Sequence, residues 1–135
     1  MKQIALAVPV LLALLACKQA DEKPAVLVKA TDMINDYQTN EVGADLKYKG
    51  KRVRVIGVAG VIKKDILNTA YLTMKGSDSD LREVQAFFRS DSESDMASLI
   101  PGHATAIDCK GDGLMINVIL RDCRMAPKPA AKPGQ

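Results

Sequence analysis

Apolar side chains at Ala30, Met33, Ile34 and Tyr37 fall at i, i+3, i+4 and i+7, the spacing that draws one stripe along a helix. Thr31, with Asp32 behind it, supplies a start for that helix. Asn40 is placed to cap a second short helix running to Tyr48, with Glu41 in its first turn and Gly50 to end it. Beyond Gly50 the period changes. Residues 52–62 are long and β-branched and include Gly57 and Gly60; glycines inside a strand signal a bulge or a sharp bend. Residues 70–75 alternate, with Leu72 and Met74 on one face and Tyr71 and Thr73 on the other. Residues 82–89 alternate too, setting Val84, Ala86 and Phe88 against Gln85, Phe87 and Arg89. The stretches 63–68 and 76–80 are polar connections. Residues 90–100 read as a short helix with Met96, Leu99 and Ile100 inward, stopped by Pro101-Gly102. Residues 104–109 and 116–121 form the last two strands, with a turn at Gly111-Asp112-Gly113 between them.

An N-terminal helix, three strands, a helix and two strands is the order of a five-stranded OB-fold barrel, mainly β with α. The helix between strands three and four is then its bottom plug, and the glycine-bent first strand is where the barrel curls.

Asn40-Glu41, Ala44-Asp45, Tyr48 and Gly50-Lys51 resemble a signature N-E-x-x-A-D-x-x-Y-x-G-K. It opens the tRNA_anti-like family of small bacterial OB-fold proteins, many of them lipoproteins. Val84-Gln85-x-Phe87-Phe88, Leu99-x-x-Gly102 and the closing run 118–123 resemble later features of that family. The resemblance covers residues 29–124. It implies an OB fold and no particular activity, since its name rests on a likeness of fold to anticodon-binding domains. The family usually carries a Cys in the third strand, where this chain has Ala86.

The N-terminus has a different pattern. Lys2 precedes an apolar run, residues 4–15, of 12 residues. A membrane-spanning helix needs about 20, and Pro9 interrupts this one. The run closes on Leu14-Leu15-Ala16-Cys17, the layout of a bacterial lipoprotein signal, in which the Cys thiol takes a diacylglycerol. The alternative is an ordinary secretory signal with a chance Cys, but that favours a small residue where Leu14 stands. The expected organisation is a signal over 1–16, lipidated Cys17 and a tether over 17–28, the OB domain over 29–125, and a disordered Pro/Lys/Ala tail over 126–135. By resemblance to such lipoproteins, Lys18 after the Cys implies the outer membrane, with the domain facing the periplasm of the cell envelope.

Removing residues 1–16 leaves 119 of the 135, one domain. With Trp 0, Tyr 3 and Phe 2, the core must rest on Val, Ile, Leu, Met and Ala. The formal net charge of +3 falls to +2 when Lys2 leaves with the signal, too little for a protein built to hold a polyanion. Once Cys17 is acylated, Cys109 and Cys123 remain, and an oxidising periplasm makes a disulfide the simplest outcome. A turn at residues 111–113 would set Cys109 near Met115 instead, so a bridge needs a wider loop or a bend in the last strand. The alternative is a pair of free buried thiols.

Nothing in the sequence assembles an active site, and the expectation is a protein that is not an enzyme and holds no metal and no cofactor. His103 is the one His, with no ligand-spaced partner. Lys110-Gly111-Asp112-Gly113 lacks the context of a phosphate loop. Glu41 and Asp45, at i and i+4, suit a structural role orienting Lys49 or Lys51. What remains is a binding module. Its partners are the membrane, through the lipid, and an envelope protein or oligosaccharide; the oligomeric state is open. Alternatives are a single-stranded nucleic-acid binder and a lipoprotein that interferes with an outer-membrane receptor. Strand alternation puts Arg54, Tyr71, Thr73, Gln85, Phe87 and Arg89 on the outward face that OB barrels use for ligands. Either that face is open or the first helix covers it with Met33, Ile34 and Tyr37.

Overall fold

The computed structural model describes residues 26–128. The signal 1–16, Cys17 and most of the tail lie outside the described residues. Strand β1 (Val26–Lys29) runs straight into helix α1 (Ala30–Thr39), followed by α2 (Glu41–Tyr48), β2 (Arg52–Lys64), β3 (Ala70–Lys75) and β4 (Glu83–Phe88). A 3-10 turn (Ser90–Ser92) leads into a one-turn helix α3 (Glu93–Met96), and β5 (Ala104–Leu114) and β6 (Val118–Met125) complete the chain.

The sheet runs β1-β2-β3-β4-β6-β5 and closes through a further pairing of β2 with β5. Five strands, β2 to β6, therefore make a barrel. All its pairs are antiparallel except β4 with β6. That connectivity is the OB fold. The alternating residues Val53, Val55, Leu72, Met74, Val84, Ala86, Ile107, Val118 and Leu120 fill the interior. The barrel bends where β2 bulges between Ala59 and Ile62. There Gly60 leaves room for the Thr73 hydroxyl, which an added methyl would meet at 2.7 Å. Thr73 accepts a 2.9 Å hydrogen bond from the Val61 backbone N–H, satisfying the bulged strand.

Four sequence expectations change. Residues 26–28, read as the end of the tether, belong to β1, which pairs parallel with Val53–Ile56 of β2. Helix α1 starts at Ala30 with Lys29 as its N-cap, and no side chain caps it. Continuity with β1 fixes the start, rather than Thr31. The helix expected over 90–100 is only a 3-10 turn and one α turn. Its serines and aspartates bond locally, as Ser98 does to the Asp95 carbonyl at 3.0 Å, and so compete with helix propagation. Ile100 is exposed as a result.

The hairpin also differs. Residues 111–113 are strand, and the reversal comes at Met115, whose N–H bonds the Asn117 carbonyl at 3.0 Å. The longer hairpin carries a bulge between Asp108 and Lys110, with Asp122 at φ 51°. Two residues of β6 then face Cys109, and Cys123 comes within a Cα–Cα distance of 4.2 Å to form the disulfide.

Candidate binding face of the barrel

The family-like signature builds the helical corner. Asn40 caps α2 by accepting the Gly43 N–H at 3.0 Å, and Ala44 and Tyr48 are its buried residues. The Tyr48 hydroxyl donates to Asp36, which also takes Lys47 Nζ at 2.8 Å. Those bonds, first from Lys47 and then from Tyr48, hold the Asp36 carboxyl below its usual range. Burial first, and the bond to Asp36 second, push the Tyr48 phenol up. Tyr37 donates to Asp45 at 3.1 Å, and Lys49 sits 3.8 Å from the same carboxylate. Glu41 is an exposed first-turn acid. Gly50 turns the chain at φ 74°, and Lys51 Nζ bonds the Leu46 carbonyl at 2.8 Å. These residues act on the fold.

The six residues expected on the ligand face separate into two groups. Tyr71, Phe87 and Gln85 stay outward and half-buried. Tyr71 and Phe87 are register partners across β3 and β4, with ring centroids 5.7 Å apart at 46°. Thr73 is buried at the β2 bulge. Arg54 lies at the far end of β2, where it makes a two-pronged pair with Asp108 at 2.7 and 2.8 Å. Asp108 is 2 % exposed, so Arg54 neutralises a buried carboxylate. Arg89 is held by Asp91 at 3.1 and 2.6 Å, and that bond lowers the Asp91 carboxyl.

Sequence reasoning missed Arg121. Its guanidinium carbon sits 5.1 Å from the Phe87 ring centroid, while Nε bonds Asp112 at 2.6 Å. The parallel pairing of β6 with β4 sets Leu120 opposite Ala86 and so brings Arg121 beside Phe87, a neighbourhood that alternation within one strand does not reveal. Lys63 is the β2 register partner of Tyr71. Ile119, opposite Gln85, is buried outside the main core and floors the face. The result is two aromatic rings and a planar guanidinium–carboxylate pair on a shallow surface.

Helix α1 does not cover this surface. Met33, Ile34 and Tyr37 pack into the interior cluster with Leu72, Met74 and Val84. Ala30 lies beside Gly57 and Met74 on that inner side. Among the described residues no group of three or more His, Cys, Asp or Glu side chains is placed to hold a metal ion. His103 is exposed, before β5.

A family model named tRNA_anti-like matches residues 6–124. No curated protein matches the sequence. Among solved structures, the chain resembles a protein of Klebsiella pneumoniae subsp. pneumoniae described as a "putative nucleic acid-binding lipoprotein". The identity is 20%, the TM-score 0.61, and the match covers 74% of this chain and 91% of the other. At that identity the likeness bears on the fold alone.

Proposed function

The chain belongs to the tRNA_anti-like family, and from that premise we propose that it is a non-catalytic binding module held by lipid in the cell envelope. It works through the outward face of β3, β4 and β6, and its ligand is an envelope protein or oligosaccharide. The observation that carries this reading is the Tyr71–Phe87 pair, outward and half-buried, with Arg121 against Phe87. Aromatic faces beside a planar cation offer contact area to a side chain or a sugar ring at low entropic cost. Arg54, Arg89 and Arg121 each hold a carboxylate of the protein itself: Asp108, Asp91 and Asp112. A nucleic-acid backbone is held by many free cations, and exposed Lys63 beside Tyr71 and Lys110 beside Arg121 add two to this face, so its charge balance favours a ligand that is not a polyanion.

The anchor is the diacylglyceryl group on Cys17, with Lys18 directing the protein to the outer membrane and the domain to the periplasm. The description of the Klebsiella neighbour as a lipoprotein supports the anchor. The same description, "nucleic acid-binding", favours a second reading, in which Tyr71 and Phe87 stack the bases of a single strand.

Titration with cell-wall glycan fragments and with a single-stranded oligonucleotide, at low and high salt, separates the two. Binding that holds in salt and shifts the Tyr71 and Phe87 ring resonances supports the first reading. Oligonucleotide binding that falls steeply with salt and is lost in Arg121→Ala supports the second.

A further inference from the structure

We propose that the outward face of β1, β2 and β5 rests on the lipid surface to which Cys17 is anchored, a proposal that builds on the lipid-anchored reading above. Strand pairing sorts this face into rows. Leu27, Arg54 and Asp108 form the first; Lys29, Ile56 and Ala106 the second; Val58 and Ala104 the third. Leu27 is 68% exposed, Ile56 41% and Val58 49%. Their inward neighbours Val28, Val53 and Val55 already fill the core, so these three serve no interior. A sheet face turned to water is ordinarily polar, and a contiguous apolar stripe on one marks a contact surface. Arg54 and Asp108 neutralise each other in the first row. Exposed Lys29, in the second, adds a positive charge suited to anionic headgroups.

The chain itself identifies the occupant. Eight residues, 18–25, separate Cys17 from Val26, and nine extended Cα steps reach about 30 Å. Acyl chains on Cys17 therefore hold the start of β1 within a domain's width of the headgroups, at an effective concentration that turns weak contacts into occupied ones. Leu27 follows the first residue of β1, so the tether delivers the chain into this face. From the Leu27 row to the Val58 row is about 13 Å along the strand, a footprint that one orientation on a bilayer can cover.

The test uses the full lipidated chain in vesicles of phosphatidylethanolamine and phosphatidylglycerol. A polarity-sensitive fluorophore is placed through Ile56→Cys, Val58→Cys or, for comparison, Val42→Cys on α2, where Val42 is 73% exposed. Spin-labelled lipid with a shallow nitroxide should quench the Ile56 and Val58 probes several-fold more than the Val42 probe. Protein that floats with the vesicles but shows equal or no quenching at the three sites overturns the docking and leaves the anchor standing. Protein that fails to float overturns the anchor and the docking with it. An Ile56 probe already shielded in detergent, before vesicles are present, assigns the face to a second copy or to the chain's own tail and also overturns the proposal.

Discussion

The backbone carbonyl of Tyr48 lies directly over Gly111, so close that a methyl group on Gly111 would sit 2.1 Å from its oxygen. Around that contact the Gly50 N–H bonds the Gly111 carbonyl at 2.9 Å, and the Gly111 N–H bonds the Lys51 carbonyl at 3.0 Å. The end of the family signature is thus sewn to the middle of β5. At its other end Tyr48 reaches Asp36 on α1, so one residue ties the helical corner to the barrel.

Gly111→Ala should force α2 away from β5. Overpacking of this kind costs about 3 kcal/mol, which lowers the Tm of a domain this size by more than about 10 °C. Thermal unfolding followed by circular dichroism checks it. An unchanged Tm would mean that the close approach is absent.

The Asp36 clasp gives a pH dependence with a fixed sign. Its folded pKa lies below that of an ordinary Asp carboxyl, so its contribution is complete above the unfolded pKa. It is lost as pH falls through that value toward the folded one. Stability should therefore fall below about pH 4, and Asp36→Asn should be less stable at pH 7 with a shallower acid limb. Denaturant midpoints at pH 3 to 7 for both proteins measure this.

Arg54→Ala should act on stability and leave ligand binding in place. Removing the guanidinium takes the two-pronged partner from the Asp108 carboxylate, which is 2 % exposed, so the urea midpoint should fall. Urea unfolding and a binding titration on the same variant separate the effects. Lost binding at unchanged stability would return Arg54 to the ligand face.

The Cys109–Cys123 bridge closes a loop with a sequence separation of 14. The chain-entropy relation gives about 3 kcal/mol for that size. Reductant, or the double change Cys109→Ser and Cys123→Ser, should lower the denaturant midpoint accordingly. Two alkylatable thiols in unreduced protein from the envelope would contradict the bridge.

The barrel was legible in the sequence because its strands alternate cleanly. Leu72 and Met74, or Val84 and Ala86, announce one buried face each, and β3 falls at residues 70–75 as expected. Asn40 was legible as a cap because its chemistry is local. The site was less so. Arg54, Arg89 and Phe87 share an alternation phase, yet Arg54 lies a strand's length from Tyr71 and belongs to Asp108. Thr73 points outward by parity and is buried by the β2 bulge. Arg121 reaches Phe87 because β6 lies parallel to β4 with Leu120 opposite Ala86, a pairing of strands distant in sequence that no periodicity records. Bulges change register by one residue, and no periodicity in the sequence records them. Gly111 looks like a turn residue in the sequence because a glycine accepting another backbone and a glycine making a turn are alike along the chain.

The working surface is tested most directly by photocrosslinking in living cells. A benzophenone amino acid replaces Gln85, beside the Tyr71–Phe87 pair, and adducts are identified by mass spectrometry with and without Phe87→Ala; a second probe at Val42 reports the helical side. If this face is the working surface, a specific protein or glycan adduct forms at the Gln85 position and is absent from the Val42 probe. Phe87→Ala then abolishes the adduct while shifting the Tm by no more than a few degrees, because Phe87 is only half-buried. An adduct that survives Phe87→Ala would contradict that role, as would a loss of stability by the 3 or so kcal/mol of a fully buried Phe.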